Sequence, residues 1–190
     1  MKHFIYIILT IAALGATFAS CGSSKNNNEA KPEKKVLVAY FSATGNTRKI
    51  ANDVAEIMGG KLHEITPAEA YTEKDLDWHD STSRSYVEMH TAGSRPAITD
   101  SVENIDHYNI IFLGYPIWWD KAPAVINTFI DKYGLEKKSV VCFATSGGSQ
   151  VWPSVDSLRA EHPQVNFWGE RLLNVASKAG LEKWKADCGL

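Results

Sequence analysis

Apolar residues run unbroken from Val36 to Phe41 (Val-Leu-Val-Ala-Tyr-Phe), with no polar alternation. That pattern predicts a strand covered on both faces, as in a parallel sheet. Ile50, Ala51, Val54, Ala55, Ile57 and Met58 then recur at three- and four-residue spacing, and Gly59-Gly60 ends the run. This predicts an amphipathic helix closed by a glycine C-cap. Residues 61–65 alternate weakly and predict a second strand through Leu62 and Ile65. Residues 108–114 and 139–144 repeat the buried-strand pattern, and 165–168 predicts a last, shorter strand. Between them Pro123 opens a helix with Ala122, Val125, Ile126, Phe129, Ile130 and Tyr133 on one face and Gly134 as its stop. A further helix is expected within 150–161, with Val151, Val155 and Leu158 inward, and a short one from Ser177 carrying Leu181 and Trp184. Strands alternating with helices imply an α/β fold: a parallel sheet with right-handed crossovers and helices on both faces.

The pattern lapses twice. Residues 66–100 hold Pro67, Asp75, Asp77, Asp80 and many Ser and Thr, with one helix expected around 83–90. A connection this long in a compact domain is often a lid or binding loop. Trp78, Arg84 and Arg95 are its candidates for substrate contact, with His79, Tyr86 and His90 beside them; surface chemistry or local packing is the alternative for each. The other lapse is the start of the chain. Lys2 and His3 precede an apolar run from Phe4 to Leu14, small residues follow to Ser20, and Cys21 comes next. Residues 1–20 therefore read as a targeting leader. An uncleaved membrane helix is the alternative, against which the short apolar core argues. Residues 21–35, rich in Asn, Lys and Glu, read as a flexible tether, leaving 36–190 as one domain.

Composition narrows the function. The 190-residue chain has a net charge of −2, and without the leader it keeps 19 basic and 22 acidic residues, a net of −3. No basic stripe invites nucleic acid. The three cysteines form no C-x-x-C or Cys/His spacing, so no metal site is expected. Cys142, inside an apolar run, is most simply a core residue; a Cys142–Cys188 disulfide stays open for an exported protein.

Candidate chemistry follows the first strand, in Ser42-Ala43-Thr44-Gly45-Asn46-Thr47. Hydroxyls from Ser42, Thr44 and Thr47, an amide from Asn46 and a permissive Gly45 would face the free N–H groups of the next helix, a place for an anion. Neither the P-loop pattern nor G-x-G-x-x-G is present. A capped turn that binds nothing is the alternative. The turn resembles the [ST]-x-T-G-x-T signature of the flavodoxin family, matched at Ser42, Thr44, Gly45 and Thr47. The resemblance extends over nearly everything from Val36 onward. It implies a flavodoxin-like three-layer sandwich with a five-stranded parallel sheet in the order 2-1-3-4-5, and FMN at the switch point. Gly114-Tyr115-Pro116-Ile117-Trp118-Trp119 looks like the family's second flavin loop, with Trp118 as the stacking aromatic. Thr145-Ser146-Gly147-Gly148 resembles the third, where bare backbone approaches the pyrimidine edge. All three follow the carboxyl ends of predicted strands, where ligands of such sheets sit.

Phe18-Ala19-Ser20-Cys21 resembles a bacterial lipoprotein box, with Phe18 where Leu is usual. That implies an exported protein, lipidated at Cys21 and anchored to a bacterial membrane without spanning it. No twin-arginine pair precedes the apolar run, so export of an unfolded chain is expected, with FMN acquired outside the cytoplasm and electrons drawn from a membrane quinol or a protein partner.

Two departures from simple flavodoxins bear on activity. Carriers commonly place Gly after the stacking aromatic, where a peptide flips; here Trp119 stands, and positive φ is costly for Trp. The third loop also lacks the acidic and aromatic residues that flank flavin in carriers. Both favour an FMN-dependent oxidoreductase passing two electrons to a small acceptor such as a quinone, covered by residues 66–100. The alternatives are an electron carrier docking on a redox protein through the Trp119 rim, and a flavin-free interaction protein. No side-chain acid-base arrangement stands out, so the flavin would carry the redox step, with His79 and His90 available for proton transfer.

Overall fold

The computed structural model describes residues 34–99 and 101–190, so the expected leader, the lipidation site at Cys21 and most of the tether lie outside the described residues. Five strands, β1 (Val36–Tyr40), β2 (Lys61–Glu64), β3 (Ile110–Pro116), β4 (Ser139–Thr145) and β5 (Asn166–Leu172), form one sheet in the order β2-β1-β3-β4-β5. Every pairing is parallel. Five α-helices accompany it: α1 (Asn46–Met58), α2 (Arg84–His90), α3 (Ala124–Tyr133), α4 (Val151–Glu161) and α5 (Lys178–Asp187). This is the flavodoxin-like three-layer arrangement that the sequence resemblance implies.

Strand alternation divides the core. Leu37, Ala39, Leu113, Tyr115, Cys142 and Ala144 face α3 and α4, packing on Val125, Phe129 and Leu158. Val36, Val38, Phe112, Val141 and Phe143 face the other way, onto Ile50, Val54, Leu181 and Trp184 of α1 and α5. β1, β3 and β4 are thus covered on both sides, which is why their sequences show no polar alternation. The two cysteines fall on opposite faces of the sheet and both are free. That settles the open disulfide in favour of a core thiol: Cys142 is fully buried, and burial pushes its pKa up to about 12.

Two boundaries differ from the sequence pattern. β3 begins at Ile110 rather than Tyr108, because a 3₁₀ turn at Ile105–His107 delivers the chain to the sheet. β5 runs on through Gly169, Glu170 and Arg171 to Leu172, past a bulge opposite Val140/Val141. It is an edge strand with one paired side, and Glu170 takes a hydrogen bond from Arg159 of α4 at 2.8 Å. Polar residues are at home there, so apolar content does not mark the strand.

Gly114 is the tightest point of the sheet. It pairs with Tyr40 on one side and Phe143 on the other, and a Cβ there would lie 2.1 Å from Phe143 Cζ. The Phe143 ring is fully buried and has nowhere to retreat. Gly114→Ala is expected to destabilise the domain by about 1–3 kcal/mol through overpacking, as measured by urea denaturation. Phe143→Leu in the same chain should recover part of that loss.

Candidate functional site

β1 delivers the chain to a turn in which Gly45 adopts φ 86°, and α1 starts at the next residue. A Cβ on Gly45 would touch nothing within 4 Å, so the glycine is needed for its left-handed backbone and not for space. Ser42 Oγ accepts from the Arg48 N–H at 3.2 Å, and Asn46 Nδ2 donates to Thr44 Oγ1 at 3.3 Å. Among the described residues, no protein group accepts from the N–H groups of Thr44, Gly45, Asn46 or Thr47. Four donors at the positive end of a thirteen-residue helix form a cradle suited to a phosphate. Arg48, the nearby cation, is paired with Glu64, which also accepts from Tyr40 Oη at 3.1 Å.

The second turn leaves β3 through Ile117. Trp118 and Lys121 exchange two backbone hydrogen bonds, 3.0 and 2.9 Å, around Trp119 and Asp120. Both central residues have positive φ, 47° and 59°, as in a two-residue hairpin turn. The expectation that Trp119 would resist positive φ is therefore overturned. The backbone bridge between Trp118 and Lys121 closes the turn, and the Trp119 ring is held edge-on by Tyr86 and His90, with centroids 5.6 and 5.4 Å away.

The third turn is shaped by Ser146, whose Oγ accepts from the N–H groups of Gly148 (3.1 Å) and Ser149 (2.7 Å). The Ser146 N–H donates to Asn174 Oδ1 at 2.8 Å. Gly147 and Gly148 are exposed, with open space where side chains would stand.

These turns are tied together at their roots. Thr145 and Thr47 hydroxyls are 2.9 Å apart and buried, the Thr145 carbonyl accepts from the Ile117 N–H at 2.9 Å, and the Gly114 carbonyl accepts from the Phe41 N–H at 2.9 Å. The result is one cleft of about 510 Å³ lined by residues of all three turns, Ala43 and Thr44, Pro116 to Trp119, and Ser146 to Ser149. That volume lies within the range of small-molecule sites.

Residues 66–99 supply a further wall. Their ends are joined by the antiparallel bridge of Pro67 with Ile98. Leu76, Trp78 and Ser85 line the cleft. Trp78 is 66 % exposed and lies against His79, ring centroids 3.6 Å apart. Trp118 meets Phe41 and Tyr71 edge-on, at 5.7 and 5.3 Å. Arg84 lies 4.2 Å over the Tyr71 ring and donates to Glu88 at 2.6 Å, while Tyr71 Oη donates to the same carboxylate. Burial first, then this carboxylate, raises the Tyr71 pKa well above its ordinary value, so the phenol stays a neutral donor.

Of the residues expected to hold a cofactor, Ala43, Thr44, Pro116, Ile117, Trp118, Trp119, Ser146, Gly147 and Gly148 line the cleft. Ser42, Gly45, Asn46 and Thr47 form the phosphate cradle beside the cleft and are not part of its lining. Tyr115 and Thr145 do not line it: strand alternation sends the Tyr115 side chain into the core, fully buried, where its hydroxyl meets Ser154 at 3.1 Å. Thr145 acts beneath the cleft as a tie. Arg84 and Arg95, expected as substrate contacts, do not line the cleft either. Arg84 buttresses Tyr71, and Arg95 pairs with Asp131 (2.6 Å) and Glu161 (3.2 Å) beside a separate 280 Å³ cavity. Ser149 closes the third turn, residues 145–149, and lines the cleft with it. Leu76 and Ser85 stand out less: Leu76 is the one apolar residue in Lys74-Asp75-Leu76-Asp77, and Ser85 carries no sequence signal.

FMN fits this arrangement: unpaired amides for a phosphate, an indole wall for a flat ring, and exposed glycine backbone across from it. The flavodoxin family profile matches residues 35–188. No curated protein matches the sequence. A protein of Bacteroides eggerthii, named provisionally as a flavoprotein, is 46 % identical and superposes with a TM-score of 0.80 over 83 % of this chain and 99 % of its own. A counterpart from Bacteroides uniformis, named in the same way, is also 46 % identical, with a TM-score of 0.76 over 80 % and 97 %. A flavoprotein of Lactobacillus acidophilus, solved in complex with FMN, shares the fold at 22 % identity and a TM-score of 0.65, covering 80 % of this chain and 99 % of its own. On the profile match and on the two relatives at 46 % identity, the chain belongs to the flavodoxin family.

Proposed function

We propose that the protein binds FMN in the three-turn cleft and acts as an oxidoreductase whose flavin passes electrons to a small acceptor such as a quinone. The observation that carries the reading is the single cleft lined from all three turns, with the unpaired amides of Thr44 to Thr47 at one of them. The FMN found in the Lactobacillus acidophilus relative supports it. When bound, the flavin supplies the redox chemistry. The chain's own part is to hold the phosphate at the head of α1, present the Trp118 face to the ring and shield it with residues 66–99.

A small acceptor is favoured because Leu76 and Trp78 add apolar surface to the lining of the cleft, suited to a flat, largely apolar molecule such as a quinone. The carrier reading keeps one observation of its own: the backbone at Trp119 and Asp120 already has positive φ, so the bulky residue there does not argue against it. Lipid anchoring through Cys21 belongs to the same proposal and would bring the cleft close to membrane quinones. No described helix is long and apolar enough to cross a membrane.

Titrating FMN into the protein should quench flavin fluorescence at one-to-one stoichiometry. Trp118→Ala should weaken binding by about tenfold, from lost stacking and apolar contact. Absence of binding by the unaltered protein would reject the reading. Steady-state reduction of a water-soluble quinone by the chemically reduced holoprotein should proceed over many turnovers. A protein that exchanges electrons only with redox proteins would be the carrier instead. In bacteria expressing the full chain, Cys21→Ala should move the protein from the membrane fraction to the soluble one, and an unchanged distribution would remove the anchor from the account.

A further inference from the structure

Ser85 lies in the first turn of α2, behind the Ser83 cap, and is 2 % exposed. Its hydroxyl is the one buried side-chain polar atom among the described residues that has no hydrogen-bond partner. Leaving such a group unpaired costs stability, and native folds rarely tolerate it without a reason. The reason is suggested by position. Ser85 lines the same cleft as Trp118 and Trp119. Its neighbours in sequence support both indoles: Arg84 stacks on Tyr71, which meets Trp118 edge-on, and Tyr86 meets Trp119 edge-on. Helix α2 is thereby pinned to the wall against which a flat ring would lie. Leu76 and Trp78 bring mainly apolar surface, the indole N–H aside, and Ser85 is the hydroxyl that the covering segment brings to this cleft.

We propose that Ser85 is a hydrogen-bond partner of the flavin ring, so that cofactor binding satisfies a polar group that the fold alone leaves unpaired. This rests on FMN occupying the cleft. An isoalloxazine carries hydrogen-bond acceptors along its polar edge, and a serine hydroxyl can donate to one of them by rotating about one bond. The phosphate is served elsewhere, by the amides at the start of α1. Because a reduced flavin is more electron-rich, a donor at its edge stabilises the reduced form more than the oxidised one. Ser85 therefore raises the reduction potential of the bound flavin.

The test compares the unaltered protein with Ser85→Ala and Ser85→Thr. FMN binding by the unaltered protein is measured first; its failure rejects the cofactor reading and the role of Ser85 with it, whereas the variants below can reject the role of Ser85 alone. Given that binding, Ser85→Ala should weaken FMN affinity roughly three- to tenfold, the worth of one hydrogen bond, and lower the flavin's potential. Riboflavin affinity should fall by the same factor, since the lost contact is to the ring. The flavin-free variant should melt no lower than the unaltered protein, because nothing paired is removed. Ser85→Thr, which keeps the hydroxyl, should restore the potential. Unchanged affinity and potential in Ser85→Ala would overturn the proposal, as would a loss confined to FMN, which would assign the hydroxyl to the phosphate. A markedly less stable flavin-free Ser85→Ala protein would also overturn it, by revealing a partner within the fold.

Discussion

Thr145 holds the site together. Its hydroxyl is bonded to Thr47 at the base of the first turn, and its carbonyl receives the Ile117 N–H at the base of the second. It is also the last residue of β4, from which the third turn departs. One residue thus fixes the spacing of three loops that are far apart in sequence. The sheet order makes this possible, since β1, β3 and β4 are consecutive neighbours and all point the same way. Each link is a buried hydrogen bond worth about 0.5–1.5 kcal/mol. Their effect is geometric more than energetic: a cleft whose walls come from separate turns is useful only if those turns cannot drift.

A second layer of support comes from outside the sheet. Trp118 and Trp119 leave the same turn in different directions, and each is met edge-on by an aromatic residue of the 66–99 segment. Tyr71 is fixed in turn by the Arg84 guanidinium above it and the Glu88 carboxylate at its hydroxyl. Charge is used here for placement. The arginine and glutamate satisfy each other and the phenol, away from the cleft, while the cleft side of the segment is mainly apolar apart from Ser85. A flavin bound there would meet a mostly neutral wall.

Much of this was legible in the sequence, for local reasons. Val36 to Thr47 contains its own strand, turn and helix start, and the spacing of Ser42, Thr44, Gly45 and Thr47 needs no distant partner to be read. Trp118 beside Pro116 at a strand end carried the same kind of signal. What the sequence does not display depends on contacts between distant positions. Arg84 and Arg95 looked like substrate ligands because their partners, Glu88, Asp131 and Glu161, are not evident as partners in a polar stretch. Ser85 was invisible for the complementary reason, as one serine among many whose significance lies in having no partner. The inward direction of the Tyr115 side chain has a local signal: it follows Leu113 by two residues in a strand and so shares its face. Trp119 shows that a steric preference yields when a backbone bridge closes the turn around it.

The central claim is that three turns, fixed by Thr145, form one receptacle for a flat molecule with a phosphate tail. Electron density from a crystal of the protein grown with FMN tests it most directly. The account predicts the phosphate against the amides of Thr44 to Thr47, the ring on Trp118, and its polar edge between the Gly147-Gly148 backbone and Ser85. Density for FMN in the cavity beside Arg95, or a ring lying away from Trp118 with the first turn empty, would contradict it.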